Sequence, residues 1–161
     1  LAPGRGLCEL EKGGRRWAVI NLQGREGMSP IDNPFDRADE LLAAIEPGSL
    51  VVVDFHAESF AEKEALGLYL DGRVSVFAGT HTHVQTADER ILPKGAGCLG
   101  DLGMSGPEDS VIGVRVDVCI RRNLSQMPLK MESADGPSRL RGAVFELGGD
   151  GRCLSIRRVV A

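Results

Sequence analysis

The run from Leu50 to Phe55 (LVVVDF) is apolar and β-branched with almost no alternation. A strand with one wet face would alternate, so this texture predicts a strand covered on both faces, as in the parallel sheet of an α/β fold. The residues that follow extend the reading. His56 closes the run, Ser59 and Glu62 form an S-x-x-E capping box for a helix through about Leu70, Asp71-Gly72 stops it, and a second apolar strand covers Val74 to Ala78. Strand, helix and strand make a βαβ unit. Its crossover is right-handed in nearly all cases, and both strands end on the same edge of the sheet.

Signals on either side fit one α/β domain over residues 1–161. Trp17 to Asn21 reads as a buried strand. Asn33-Pro34 has the N-cap and first-position pattern of a helix start, with Ala38, Leu41, Leu42 and Ile45 as its apolar stripe and Pro47-Gly48 as its end. From about Gly95 the chain turns to glycine-rich connections and strand-like runs at Val114 to Ile120, Leu140 to Leu147 and Cys153 to Val160. Gly148-Gly149-Asp150-Gly151 makes the last two a hairpin. The opening Leu-Ala-Pro-Gly-Arg-Gly reads as a connecting loop, which is expected of a chain that continues an earlier part of a domain.

Composition narrows the classes of function. A net charge of -4 argues against a broad nucleic-acid-binding face, and the pairs Arg15-Arg16, Arg121-Arg122 and Arg157-Arg158 are too scattered to make a phosphate patch. Cys8, Cys98, Cys119 and Cys153 are far apart with no C-x-x-C, so they are expected as buried free thiols in a reducing, cytoplasmic setting. No apolar run is long enough to span a bilayer.

The chemistry concentrates in the histidines. All three, His56, His81 and His83, fall at the C-terminal ends of the two βαβ strands, the edge where open α/β sheets place ligand sites. Neutral imidazole is the commonest metal ligand, and a His-x-His pair leaving a strand can serve adjacent positions, so these three are the candidate metal ligands. Asp54, Glu58 and Asp88 lie near enough in sequence to orient an imidazole, although Glu58 also suits the start of a helix. The residues alone leave three outcomes open: one ion on three histidines, part of a two-ion site, or a binding or regulatory module without catalysis. Gly100 to Ser110 (GDLGMSGPEDS) lacks the Lys-Ser/Thr of a phosphate-binding P-loop and reads as a demanding turn.

Four segments taken in order carry a resemblance: Val53-Asp54-Phe55-His56-Ala57-Glu58, Tyr69 to Val74 (YLDGRV), Gly79 to Glu89 (GTHTHVQTADE) and Gly103-Met104-Ser105-Gly106-Pro107. Together with Asn21-Leu22-Gln23-Gly24-Arg25, this series resembles the YmdB-like branch of the calcineurin-like metallophosphoesterases, bacterial 2',3'-cyclic-nucleotide 2'-phosphodiesterases. The resemblance implies a portion of a four-layer α-β-β-α sandwich, with the later strands in its second sheet. It also implies two divalent ions, iron or manganese, with His56 and His81 on one and His83 on the other. The implied reaction turns a small cyclic phosphodiester into a 3'-nucleotide, in an enzyme that is often a homo-oligomer.

The family pattern also includes an Asp, a Glu-Asn pair and a Gly-Asn-His motif that supply the bridging carboxylate, further ligands and a proton donor. These are absent from the 161 residues. The chain is therefore expected to be the C-terminal portion of a metallophosphoesterase domain, inactive by itself, with an exposed flank where the rest would pack.

Overall fold

A computed structural model describes residues 4–161 of the chain, so half of the expected opening loop lies outside the described residues. The first element is a hairpin of β1 (Leu7–Lys12) and β2 (Arg15–Gln23). Gly13 and Gly14 connect them at φ of 62° and 69°, a turn whose twist matches the flanking strands and which glycine enters at no steric cost. The Trp17 to Asn21 run marks only the core of β2. The Gly-Gly pair was the available signal for its partner.

Helix α1 (Pro34–Ala44) starts as expected, with the Asn33 side chain accepting from the Phe35 N–H at 3.2 Å. Strand β3 (Leu50–His56), helix α2 (Phe60–Leu70) and strand β4 (Val76–Thr80) complete the βαβ unit. Only half of the capping box forms. Ser59 Oγ accepts from the Glu62 N–H at 3.1 Å, but the buried Glu62 carboxylate turns away to accept from the N–H groups of Arg25 and Glu26. A residue placed to begin a helix thus also ties down the loop that leaves β2.

Two short strands, β5 (Arg90–Ile91) and β6 (Gly97–Leu99), finish a six-stranded sheet of order β1-β2-β3-β4-β6-β5. Its four inner strands are parallel and both edges are antiparallel. The core is built on Phe55 and Phe77, whose ring centroids lie 5.8 Å apart, with Ile20, Val53, Leu66 and Leu70 fully enclosed around them. At the C-terminal end of β4, an ideal Cβ on Gly79 would stand 1.8 Å from the Gly100 carbonyl oxygen. No residue but glycine can let these two backbones meet.

Past the sheet, β7 (Gly106–Pro107) pairs with β8 (Ser138–Arg139), and β9 (Arg141–Leu147) with β10 (Cys153–Val160). The last pair is the expected antiparallel hairpin, so the fold is mixed α/β with a βαβ unit and a closing hairpin.

One expected strand is corrected. Val114 to Ile120 does not form a strand; helix α3 (Val116–Ser125) begins within it. The alternation of Val114, Val116, Val118 and Ile120 looked like period two, but Val116, Ile120 and Leu124 also lie four apart, and they line one exposed flank of the helix while Val118 and Cys119 face inward. Asp117 in the first turn and Arg122 in the last both favour the helix dipole, which outweighs a weak strand propensity. The cysteine expectation also needs correction, since Cys98, Cys119 and Cys153 are buried but Cys8 is exposed on the edge strand β1.

Candidate functional site

The parallel register sets the site's first dimension. Gln23, His56 and Thr80 lie side by side at the ends of β2, β3 and β4, and Asn21, Asp54 and Ala78 lie one layer further in. Alternate residues on a strand share a face, so Asn21 and Asp54 point the same way across neighbouring strands. Asn21 Nδ2 donates to Asp54 Oδ2 at 2.8 Å, and the Thr80 hydroxyl donates to Asp54 Oδ1 at 3.0 Å.

That hydroxyl has one proton. Because it is given to Asp54, Thr80 Oγ1 must accept from His56 Nδ1, 3.1 Å away, and the hydrogen-bond network therefore assigns the proton of His56 to Nδ1. His56 Nε2 is left as a lone pair. It lies 3.0 Å from His81 Nδ1, with the two rings edge to face at a centroid distance of 4.8 Å.

His81 is specified from its other side. Its Nε2 is 2.8 Å from Glu58 Oε2, and a carboxylate can only accept, so Nε2 carries the hydrogen. In neutral rings carrying those outer hydrogens, the two facing nitrogens, 3.0 Å apart, both present lone pairs. Such a gap suits a cation. It is within the separation that two ligands of one ion can show when each bond is ~2.1 Å, and each imidazole has the outer hydrogen-bond partner that ligating histidines usually have.

His83 is placed apart from that pair. Its Nδ1 is 3.2 Å from the Ile112 carbonyl oxygen, to which it can only donate, leaving Nε2 as the free lone pair. Of the three candidates, then, the structure brings His56 and His81 into contact and turns His83 to another backbone. Among the described residues, no three His, Cys, Asp or Glu side chains gather closely enough to hold an ion by themselves. Asp88 reaches no histidine; it accepts from the Gly100 N–H at 3.0 Å.

The turn carrying His81 and His83 is strained and heavily tied. His81 has φ 118° and His83 φ 66°, conformations that side chains with a Cβ rarely adopt, and such strain tends to collect at functional sites. Between them, the Thr82 N–H donates to Asp101 Oδ2 at 2.9 Å. Asp101 also accepts from the Gly103 N–H and pairs with Lys63 of α2, and both charged side chains are almost wholly buried. Burial alone would push the Asp101 carboxyl up, but the N–H groups of Thr82 and Gly103 and the Lys63 ammonium outweigh it and hold its pKa below the usual carboxylate range.

Sequence reasoning missed Thr80, Lys63 and Asp101. Nothing in the local pattern marks Lys63 as buried, since it sits in a charged helical stretch; only the βαβ crossover brings α2 over the loop after β6.

A sheet of parallel strands with hydrogen-bonded histidines along its C-terminal edge defines an α/β protein with a candidate ligand site at that edge. Comparison with known proteins is more specific. The pattern of the YmdB-like protein family matches residues 1–159, and the chain belongs to that family. It is 47% identical over 146 residues to the 2',3'-cyclic-nucleotide 2'-phosphodiesterase of Bacillus subtilis (strain 168), a match covering 90% of this chain and 55% of that protein. Its fold matches the crystal structure of a hypothetical protein from Thermus thermophilus with a TM-score of 0.94 and 40% identity, over 99% of this chain and 63% of that one. A structure described as a novel phosphatase from Mycoplasma pneumoniae gives a TM-score of 0.89 and 33% identity, over 98% and 57%. The chain spans about half the length of the curated relatives it matches.

Proposed function

We propose that residues 1–161 form the C-terminal portion of a metallophosphoesterase domain that hydrolyses 2',3'-cyclic nucleotides to 3'-nucleotides. His56 and His81 would share one divalent ion and His83 would hold a second, iron or manganese in each case. The bridging carboxylate and remaining oxygen ligands would come from motifs that lie outside these residues. Bound ions of this kind supply Lewis-acid neutralisation of the charge that develops on the phosphoryl oxygens.

This chain's own residues do the positioning. Asp54, through Thr80, keeps a hydrogen on His56 Nδ1, and Glu58 keeps one on His81 Nε2, so the two facing nitrogens stay available as lone pairs. Lys63 and Asp101 fix the turn from which His81 and His83 project. The observation that carries the reading is the 3.0 Å approach of His56 Nε2 and His81 Nδ1 with both outer nitrogens engaged. A single ion on all three imidazoles finds less support, because His83 is turned to Ile112.

The substrate would be a small-molecule phosphodiester. Among the described residues no helix is long and apolar enough to cross a membrane, and a cytoplasmic, homo-oligomeric enzyme is part of the same proposal. The test combines the chain with the segment carrying the missing ligands and follows 3'-adenosine monophosphate formed from 2',3'-cyclic adenosine monophosphate with manganese. Turnover lost in His56→Ala and His81→Ala supports the reading; no turnover from the combined protein sinks it.

A further inference from the structure

Two cavities bear on ligand binding, and they lie at opposite edges of the sheet. One of about 530 Å³ touches Arg15, Leu50 and Ser75, at the N-terminal ends of the parallel strands and away from the histidines. The other, of about 380 Å³, is walled by His83 itself together with Val84, Met104, Ile112 and Arg141.

The second cavity has three features that an ordinary crevice lacks. First, Arg141 is a half-buried cation without a counterion. Its Nη1 donates to the Met104 carbonyl at 3.3 Å, while among the described residues no carboxylate comes within 4.0 Å of the guanidinium. The neighbouring acid, Glu108, is already paired with Arg139 at 2.7 Å. A guanidinium held at one corner with the rest of its donor fork uncommitted matches an anionic oxygen group.

Second, one wall is strained. Ile112 has φ 47°, an unfavourable conformation for a β-branched residue, and its carbonyl accepts from His83 while its side chain remains 54% exposed. Third, the apolar part is open: Val84 is 61% exposed beside Ile112, with the Met104 thioether completing the surface. An apolar wall with a cation beside it suits a ligand that is flat and apolar at one end and anionic at the other. The size is adequate for a mononucleotide, being within the ~300–1,000 Å³ range of small-molecule pockets.

We infer that this cavity seats the nucleotide, with Arg141 receiving its phosphate and the Met104, Ile112 and Val84 wall receiving its nucleoside. The inference rests on the phosphodiesterase reading, because a phosphate held by Arg141 lies next to His83, and it adds where the substrate binds and what recognises it.

The probes are adenosine 3'-monophosphate and inorganic phosphate, each titrated into the metal-loaded protein by calorimetry. Arg141→Ala should weaken both ligands by roughly tenfold to a hundredfold, the range for a lost hydrogen bond to a charged group. Met104→Ala should weaken adenosine 3'-monophosphate by roughly three- to tenfold through lost apolar contact and leave inorganic phosphate unchanged. Wild-type affinity for adenosine 3'-monophosphate in either variant overturns the assignment. The outcome is separable from that for catalysis. Affinity losses in both variants of a protein that hydrolyses no cyclic nucleotide would uphold the cavity and sink the catalytic reading, whereas turnover with unmoved affinities would do the reverse.

Discussion

Lys63 Nζ lies 3.0 Å from Asp101 Oδ2, and each side chain is only 2% exposed, so one helix and one loop share a buried ion pair directly beneath the His81-Thr82-His83 turn. The same Asp101 oxygen accepts from the Thr82 N–H. The pair therefore links the packing of α2 to the positions of two candidate ligands. Removing one member strands the other as a buried, uncompensated charge, which is why such pairs are costly to break even where they contribute little net stability.

Asp101→Ala should destabilise the protein by about 3–5 kcal/mol, the usual cost of orphaning one partner of a buried pair. Urea denaturation would show this as a lower midpoint. The double variant Lys63→Met with Asp101→Ala should recover part of the loss, since no charge is then left buried; a double variant as unstable as the sum of the singles would show that the two groups are not coupled.

Asp101 also predicts the acid limb of stability. Its folded-state pKa lies below the ordinary value of ~3.9, so its contribution is complete above that value and is lost as pH falls through the depressed folded value. Stability followed from near neutrality into acid should therefore fall below about pH 4, and Asp101→Asn should flatten part of that slope. An unchanged slope in the variant would assign the acid limb to other carboxylates.

The chain from Asp54 through Thr80 to His56 predicts a metal-affinity effect without any ligand being changed. Thr80→Val removes the acceptor that holds hydrogen on His56 Nδ1, and Asp54→Ala removes the acceptor for the Thr80 proton. Each should weaken manganese binding by roughly 10- to 100-fold, as replacing outer partners of ligating histidines typically does. Calorimetric titration of the metal reads this directly, with His56→Ala as the reference for complete loss.

Thiol chemistry should separate the cysteines by position. Cys8 is exposed, whereas burial pushes the Cys98 thiol up to about 11 and raises that of Cys153 as well. A thiol-specific reagent near neutral pH should label Cys8 within the native protein and leave Cys98 untouched until it unfolds. Rapid native labelling at Cys98, located by peptide mapping, would contradict the packing between β6 and α2.

Local patterns made a good part of this legible. The apolar run of Leu50 to Phe55, the Asn33-Pro34 helix start and the Gly148 to Gly151 turn each act over a few residues, and the structure follows them as a strand, a helix and a hairpin. However, β3 is fully buried only on the Val51, Val53 and Phe55 face, with Val52, Asp54 and His56 half-buried on the other. Where two periods overlap, as in Val114 to Ile120, the local pattern did not discriminate, because residues two and four apart are both apolar there.

By itself, the sequence determined that two parallel strands end at one edge and that every histidine of the chain belongs to that edge, since strand direction in a βαβ unit follows from its connection. Only the tertiary structure decided how those rings are used: that His56 meets His81, that His83 turns to Ile112, and that Thr80, Glu58, Lys63 and Asp101 hold them. The reason is physical. Those relationships join residues from 19 to 38 positions apart through side-chain hydrogen bonds whose directions are set by sheet register and helix crossover, which no local propensity encodes.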